Sequence, residues 1–364
     1  MYPLKVLHVI WMAEIGGIGK VVYNLCSHQK SDNELEAAVL CGKAGGSLLN
    51  DFKTLGIDLY ELGLNSGTDI RPSLFMKCKK IMSQYDIIHF HSFNPLLAAA
   101  AESTGKKIVY TEHGNFGLGR PMKIKDKIVQ YLQRKFLNES ISAITFNSRF
   151  TGKLSTERFG LQQINKQIIY NGIPNYLPKE IFNSKFRKES GELLIASIGR
   201  LARVKRFDRL IESVAKSITQ NVRVIIMGEG PEENTLKQQV EKLNLTSKVF
   251  FPGIGNSREL ISECDLCIFP SQGEAFGLVA IEAYQQGKQV VVFDDGGGIT
   301  EIVKELEPES IVNTTEELSI LIKDIATNKN KINDSQKIKS RIEYAGQFSI
   351  EKMASKIKAL YTSI

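Results

Sequence analysis

Short apolar runs alternate with helix-period segments through almost all of the 364 residues, and the alternation runs twice. KVLHVIW (5–11) reads as a strand and GKVVYNLCSHQ (19–29) as the helix after it, with Val22, Leu25 and Cys26 on one face. EAAVLCG (36–42), DIIHFHS (86–92), KKIVYTEHG (106–114) and ISAITFNS (141–148) continue as strands, with helical stretches such as 72–84 and 124–139 between them. A β-α-β-α order predicts a parallel sheet covered on both faces. The order restarts with strands at 192–200, 222–230, 248–253, 264–271 and 288–295, separated by helices at 206–218, 232–244, 257–263 and 277–286. Residues 172–190 carry two prolines, many charges and little period, and read as a linker. The expected fold class is α/β, with Rossmann-like domains at 1–171 and 191–345 and a closing segment at 346–364.

Composition narrows the class. Apolar residues make up 42% and charged residues 24%, enough for real cores. No apolar run approaches the roughly 18 residues of a membrane span, and the N-terminus lacks the parts of a signal peptide. Five scattered cysteines fit reduced, buried thiols in the cytoplasm better than a disulfide framework. CDLC (264–267) has redox or half-zinc spacing but no partner motif, so core packing is the favoured reading. The net charge of +7 favours polyanionic partners, and no RNP-type or zinc-finger motif points to nucleic acid.

Ligands of open α/β sheets bind beyond the carboxyl ends of the strands, and two such sheets face to face enclose a cleft. The first strand ends in WMAEIGGIGK, whose glycines precede a helix and suit close approach of a phosphate or sugar. A dinucleotide fingerprint from Gly17 would need a small residue where Val22 stands, and a P-loop would need glycine at Glu14 and a hydroxyl at Val21. A plain strand-to-helix turn remains open. SIGRLARVKRF (197–207) sets Arg200 and Lys205 in a strand-to-helix loop, suited to a diphosphate or to plain solvation. SQGEAFGLVAIEA (271–283) holds Glu274 before a helix and Glu282 inside its apolar run. A buried carboxylate needs donors, which sugar or ribose hydroxyls supply in pairs. A nearby cation or solvent would also serve Glu282.

These residues together resemble the retaining GT-B glycosyltransferases of family four. EAFGLVAIE matches the family's E-x7-E element, and GGIGKVVYNL resembles its first glycine-rich turn. TEHG (111–114), IYNGIP (169–174), SIGRLARVKRFDRLIE, MGEGP (227–231), DDGGGITEIV (294–303) and FSIEKMASKIKALY (348–361) extend the likeness over nearly the whole chain. The resemblance implies two Rossmann-like domains facing across a cleft, with the N-terminal half for the acceptor and the C-terminal half for a nucleotide sugar. The closing helix would pack back on the N-terminal half. Arg200 and Lys205 would neutralise the donor diphosphate, Glu282 would hold the ribose, and Glu274 would contact the transferred sugar. Gly253 and Ile254 would hold the base by backbone. Gly228, Phe276, Gly277 and Leu278 would line the donor, Gly17 would sit near donor or acceptor, and His113 would stand beside the transferred sugar. DDGGG departs from the usual pattern by an extra acid and an extra glycine.

The implied reaction moves a hexose or N-acetylhexosamine, with UDP favoured on family frequency, to a glycan or lipid-linked acceptor of bacterial surface polysaccharide or glycoconjugate. Retention without an evident nucleophile favours front-face displacement, and the two cations replace a divalent metal, so no cofactor is expected. His113 reads as a base, a donor or a packed core histidine; metal binding by His89, His91 and His113 is disfavoured, and His8 reads as core. The stretch 120–136 is basic, with Ile124, Ile128, Tyr131 and Leu132 at helical spacing. It suits peripheral contact with an anionic membrane, and equally an ordinary surface helix. The rival functions are a nucleotide-sugar epimerase or phosphorylase, a non-catalytic nucleotide-sugar-binding protein and, less favoured, an NAD oxidoreductase.

Overall fold

The computed structural model describes the chain apart from Met1, Thr68, Arg187, Asn333 and residues 115–122, 163–164, 176–185, 218–220 and 329–331. Most of the expected linker and Arg120 of the basic stretch therefore lie outside the described residues. The chain divides into two compact units, Met1–Pro174 with Ser349–Ile364, and Asn175–Phe348.

The first unit holds β1 (Leu4–Ile10), β2 (Leu35–Cys41), β3 (Asp58–Glu61), β4 (Ile87–Phe90), β5 (Lys107–Glu112), β6 (Ala143–Phe146) and β7 (Asn165–Ile168). All pairs are parallel, in the order β3-β2-β1-β4-β5-β6-β7. The strand period of two divides β1 and β2 between the sheet faces. Leu7, Val9, Ala38 and Leu40 join Ile88, Phe90, Leu97 and Phe136 in one core. Ile10, Val39 and Cys41 join Val22, Cys26 and Phe52 in the other. The C-terminal helix Ile350–Ser363 belongs to this unit. Its Lys358 pairs with Asp32 at 2.8 Å, its Tyr361 hydroxyl meets His89 Nδ1 at 2.5 Å, and Ile350 N–H donates to the Ile173 carbonyl.

The second unit holds β8 (Leu193–Ile198), β9 (Val222–Met227), β10 (Val249–Phe250), β11 (Leu266–Phe269), β12 (Gln289–Phe293) and β13 (Ile311–Val312). They form a parallel sheet in the order β10-β9-β8-β11-β12-β13. Leu193, Ile195, Val224, Ile226, Ile268 and Val291 pack against Leu210, Ile211, Val214, Leu318 and Ile322 of neighbouring helices. In each unit the strand order reverses once, between β1 and β4 and between β8 and β11. Such a reversal opens a crevice at the strands' carboxyl ends.

The central strands lie where the apolar runs predict them. β3 and β7, which no run signals, are short outer strands with half-buried or exposed residues. The expected helix 277–286 is shorter, Leu278–Tyr284, capped by Gly277. All five cysteines are buried free thiols. Cys264 and Cys267 lie 3.5 Å apart, sulfur to sulfur, in the core.

Candidate functional site

The crevice of the second unit is built from the loops after β8 and β11. Lys205, in a short 3-10 turn (Arg203–Lys205), places Nζ 2.7 Å from Oε1 of Glu274. Both side chains are less than a fifth exposed. Burial pushes the Glu274 carboxyl up, and the Lys205 ammonium more than reverses this, so the group titrates below the ordinary glutamate range. Oε2 of Glu274 is buried with no hydrogen bond in range, and the Ser271 side chain also acts on the carboxyl, lowering it further. Arg200 is exposed, and its guanidinium makes no ion pair among the described residues. Arg203 is likewise exposed without an ion pair among the described residues, whereas Arg206 is engaged with Asp208 and Gln272, and Arg209, in the following helix, with Asp295 through two bonds of 2.6 and 2.7 Å.

Backbone lacing holds this pair. Glu274 N–H donates to the Gly296 carbonyl at 2.8 Å, and Gly298 N–H to the Glu274 carbonyl at 2.7 Å. Gly298 has no room for a Cβ, which would stand 2.1 Å from the Ala275 carbonyl oxygen. The late glycines therefore seat the Glu274 loop, and the extra acid, Asp295, holds Arg209. On the other side Gly228 lies against Gly199, where a Cβ would stand 2.0 Å from the Gly199 carbonyl oxygen. Gly228 N–H donates to the Gly253 carbonyl at 2.9 Å, which joins the loops after β8, β9 and β10.

The remaining expected donor residues fall as follows. Glu282 is half-buried, not sealed in core, and its Oε2 accepts from the Ser257 hydroxyl at 2.9 Å. Its partner is neither a cation nor solvent alone, and Ser257 escaped sequence reading because it opens a different helix, Ser257–Glu263. Ile254 is exposed and Gly253 half-buried. The ring of Phe276 is buried and packs edge-on to Phe348, which leaves its backbone for any ligand. Gly277 has φ +98° and meets the Ile299 side chain where a Cβ would be, while Leu278 is half-buried at the first helical position.

In the first unit Gly17 is exposed, and a Cβ there would meet nothing within 4 Å. Gly19 differs: its Cβ would stand 2.0 Å from the Glu14 carbonyl oxygen. Four of the five histidines gather at the carboxyl side of β1, β4 and β5. His8 and His89 are register partners, and the rings of His89 and His91 lie 4.2 Å apart. Gln29 Oε1 meets His8 Nε2 at 2.8 Å, His8 Nδ1 meets His91 Nε2 at 3.0 Å, and His91 Nδ1 meets His113 Nε2 at 3.0 Å. His89 Nε2 meets the Thr111 hydroxyl at 2.6 Å. Burial pushes His8 and His113 down to about 4 and His89 and His91 well below 6.5. His8, His89 and His91 bring ring nitrogens within 4.8 Å of one another. Both nitrogens of each of these three rings have a partner in the protein. The chain of contacts was invisible in sequence, where His8 stood apart as core.

Two doubly wound parallel units, each with polar groups at its strand reversal, define the class: this is a GT-B fold. A sequence model described as Glycosyltransferase Family 4 matches residues 15–175, and one described as Glycosyl transferases group 1 matches 178–344. The chain belongs to this glycosyltransferase family. It is 27% identical over 300 residues to the N-acetyl-alpha-D-glucosaminyl L-malate synthase of Bacillus anthracis, covering 77% of this chain and 75% of that protein. It is 26% identical over 211 residues to the O-antigen biosynthesis glycosyltransferase WclY of Escherichia coli, covering 56% and 57%. The crystal structure of Anabaena HepE in complex with UDP and glucose superposes with a TM-score of 0.83 at 21% identity, covering 99% of this chain and all of that one. Among the described residues no helix is long and apolar enough to cross a membrane.

Proposed function

We propose that this glycosyltransferase moves a hexose or N-acetylhexosamine from a UDP-sugar to a glycan or lipid-linked acceptor of bacterial surface polysaccharide or glycoconjugate, with retention of configuration and without a divalent metal. The observation that carries the reading is the Lys205–Glu274 pair, whose Glu274 Oε2 is a buried acceptor with no hydrogen bond in range. An unsatisfied buried acceptor costs about 1–3 kcal/mol, and a hydroxyl of the transferred sugar relieves it. Lys205 and the unpaired Arg200 then face the diphosphate, where negative charge grows as the glycosidic C–O bond breaks. Glu282, with Ser257 on one oxygen, takes the ribose hydroxyls; Gly253 and Ile254 take the base by backbone; and the backbone of Gly228, Phe276, Gly277 and Leu278 lines the donor. Gly17 approaches donor or acceptor, and His113 stands beside the sugar. Glu274 is held by Lys205 and by its own backbone, which suits hydroxyl binding more than attack, so front-face displacement is the favoured course. UDP-bound HepE supports a UDP donor, the N-acetylglucosaminyl name of the Bacillus anthracis relative supports an N-acetylhexosamine, and the O-antigen name of WclY supports a surface polysaccharide.

The test is a thermal-shift panel of UDP-, GDP- and dTDP-sugars in EDTA, followed by nucleotide release and anomer analysis. Unchanged turnover in Arg200→Ala, Lys205→Ala and Glu282→Ala, each alone, would refute the site. A glycosyl adduct on Glu274 by mass spectrometry would refute front-face displacement. A lipid-linked acceptor is favoured by the helix Ile124–Glu139, where Ile124, Ile128 and Tyr131 are more than half exposed among Lys123, Lys125 and Lys127. Salt-sensitive flotation with phosphatidylglycerol vesicles, lost in Ile128→Glu, checks this.

A further inference from the structure

We infer that Gln29, acting through His8 and His91, fixes the tautomer of His113 so that Nδ1 is bare and accepts a hydrogen bond from the transferred sugar. This rests on the reading above that His113 stands beside that sugar. A neutral imidazole has one N–H and one lone pair, so the partner of one nitrogen dictates the other. The Gln29 carbonyl oxygen only accepts, so His8 carries its proton on Nε2. His8 Nδ1 is then bare and accepts from His91 Nε2–H. His91 Nδ1 is bare in turn and accepts from His113 Nε2–H, which leaves His113 Nδ1 as a lone pair. Every other ring nitrogen of these four histidines has a protein partner, whereas His113 Nδ1 has none among the described residues. Burial keeps the rings uncharged at neutral pH, so the order is not erased by a second proton.

The Gln29 amide could in principle be reversed, which would invert every link and protonate His113 Nδ1. In the structure Oε1 is the atom on His8 Nε2, at 2.8 Å, and Nε2 is turned away from the ring, buried with no partner in hydrogen-bond range. Histidine spectra read this orientation directly, because the reversed amide would put the proton of His113 on Nδ1. The consequence is chemical selectivity. A bare nitrogen accepts from a sugar hydroxyl and cannot bond a phosphate oxygen, which offers only lone pairs. Gln29, His8 and His91 are thus positioning residues that need not touch the substrate.

Nitrogen-15 histidine spectra of the full chain, recorded without donor, test the tautomer, since only five histidines contribute. The expected wild-type pattern is Nε2–H with bare Nδ1 at His8, His91 and His113. Gln29→Met removes the acceptor at similar size and should give His113 a mixed pattern. UDP release from UDP-glucose and UDP-N-acetylglucosamine should show kcat about tenfold lower with the donor KM little changed. His91→Phe cuts the chain one link nearer and carries the same expectation should Gln29→Met not fold. A protonated Nδ1 on wild-type His113, or an unchanged His113 pattern in the folded variants, would overturn the inference. Full turnover in His113→Ala would overturn the sugar contact on which it rests, and the donor-free spectra tell that outcome apart from failure of the chain.

Discussion

Replacing Lys205 by Met leaves Glu274 in its seat without a counter-charge. Removing one partner of a fully buried ion pair costs about 3–5 kcal/mol. Here each side chain keeps a little under a fifth of its exposure, so water relieves part of the loss and ~2–4 kcal/mol is expected at neutral pH. For a unit of this size that is a fall of about 5–15 °C in Tm. The pH dependence is diagnostic. In the wild type the carboxyl titrates below its ordinary value of 4.5, so its contribution is whole above that value and lost as pH falls through the lowered one. In Lys205→Met burial, the largest influence, is opposed only by the Ser271 side chain and lifts the carboxyl, so the penalty is present at neutral pH and relieved as acid neutralises Glu274. The stability gap between variant and wild type should therefore narrow between pH 7 and 5, and Lys205→Met combined with Glu274→Gln should recover most of it at pH 7. Calorimetry across that range checks both. A single variant within about 0.5 kcal/mol of wild type, or a gap that does not narrow in acid, would refute the view that burial and Lys205 oppose each other at Glu274.

The histidine cluster should make the first unit acid-sensitive: rings held at about 4 in the fold and near 6.5 in the unfolded chain give full stability above roughly pH 6.5, lost progressively down to about pH 4, at up to ~3 kcal/mol per histidine. Urea midpoints that stay flat from pH 7 to 5 would contradict this. Gly277→Ala should lower the melting temperature of the second unit by the equivalent of about 2–4 kcal/mol, because φ is +98° and the new Cβ would lie 2.5 Å from Ile299 Cγ1. Gly17→Ala should leave stability within about 0.5 kcal/mol, since its Cβ meets nothing; a loss of turnover in that variant then reads the role of the turn rather than the fold.

The sheet centres were legible because strands buried on both faces must be largely apolar, as in β4, β8 and β12, each with one polar residue. β3 (DLYE) and β7 (NKQI) were not, because outer strands expose one side and carry no apolar run. The site was legible as a set of positions and not as a set of partners. Lys205 and Glu274 are 69 residues apart and were read as two separate contacts. They meet because β8 and β11 are neighbours, a strand order that local periodicity does not encode. The same holds for His8, placed beside β4 by the β1–β4 pairing. A cue was present in each case: opposite charges directly after two strands of one sheet, and histidines repeating at the strand period on buried runs. Polar groups at such positions lose water on folding and must find one another or a ligand. In the first unit the histidine rings find one another until one ring nitrogen, His113 Nδ1, is left over. In the second, Lys205 meets Glu274, and one carboxylate oxygen and the guanidiniums of Arg200 and Arg203 are left over. The groups left without partners mark where ligand is to be sought, and they follow from strand order and hydrogen-bond accounting, not from any single residue type.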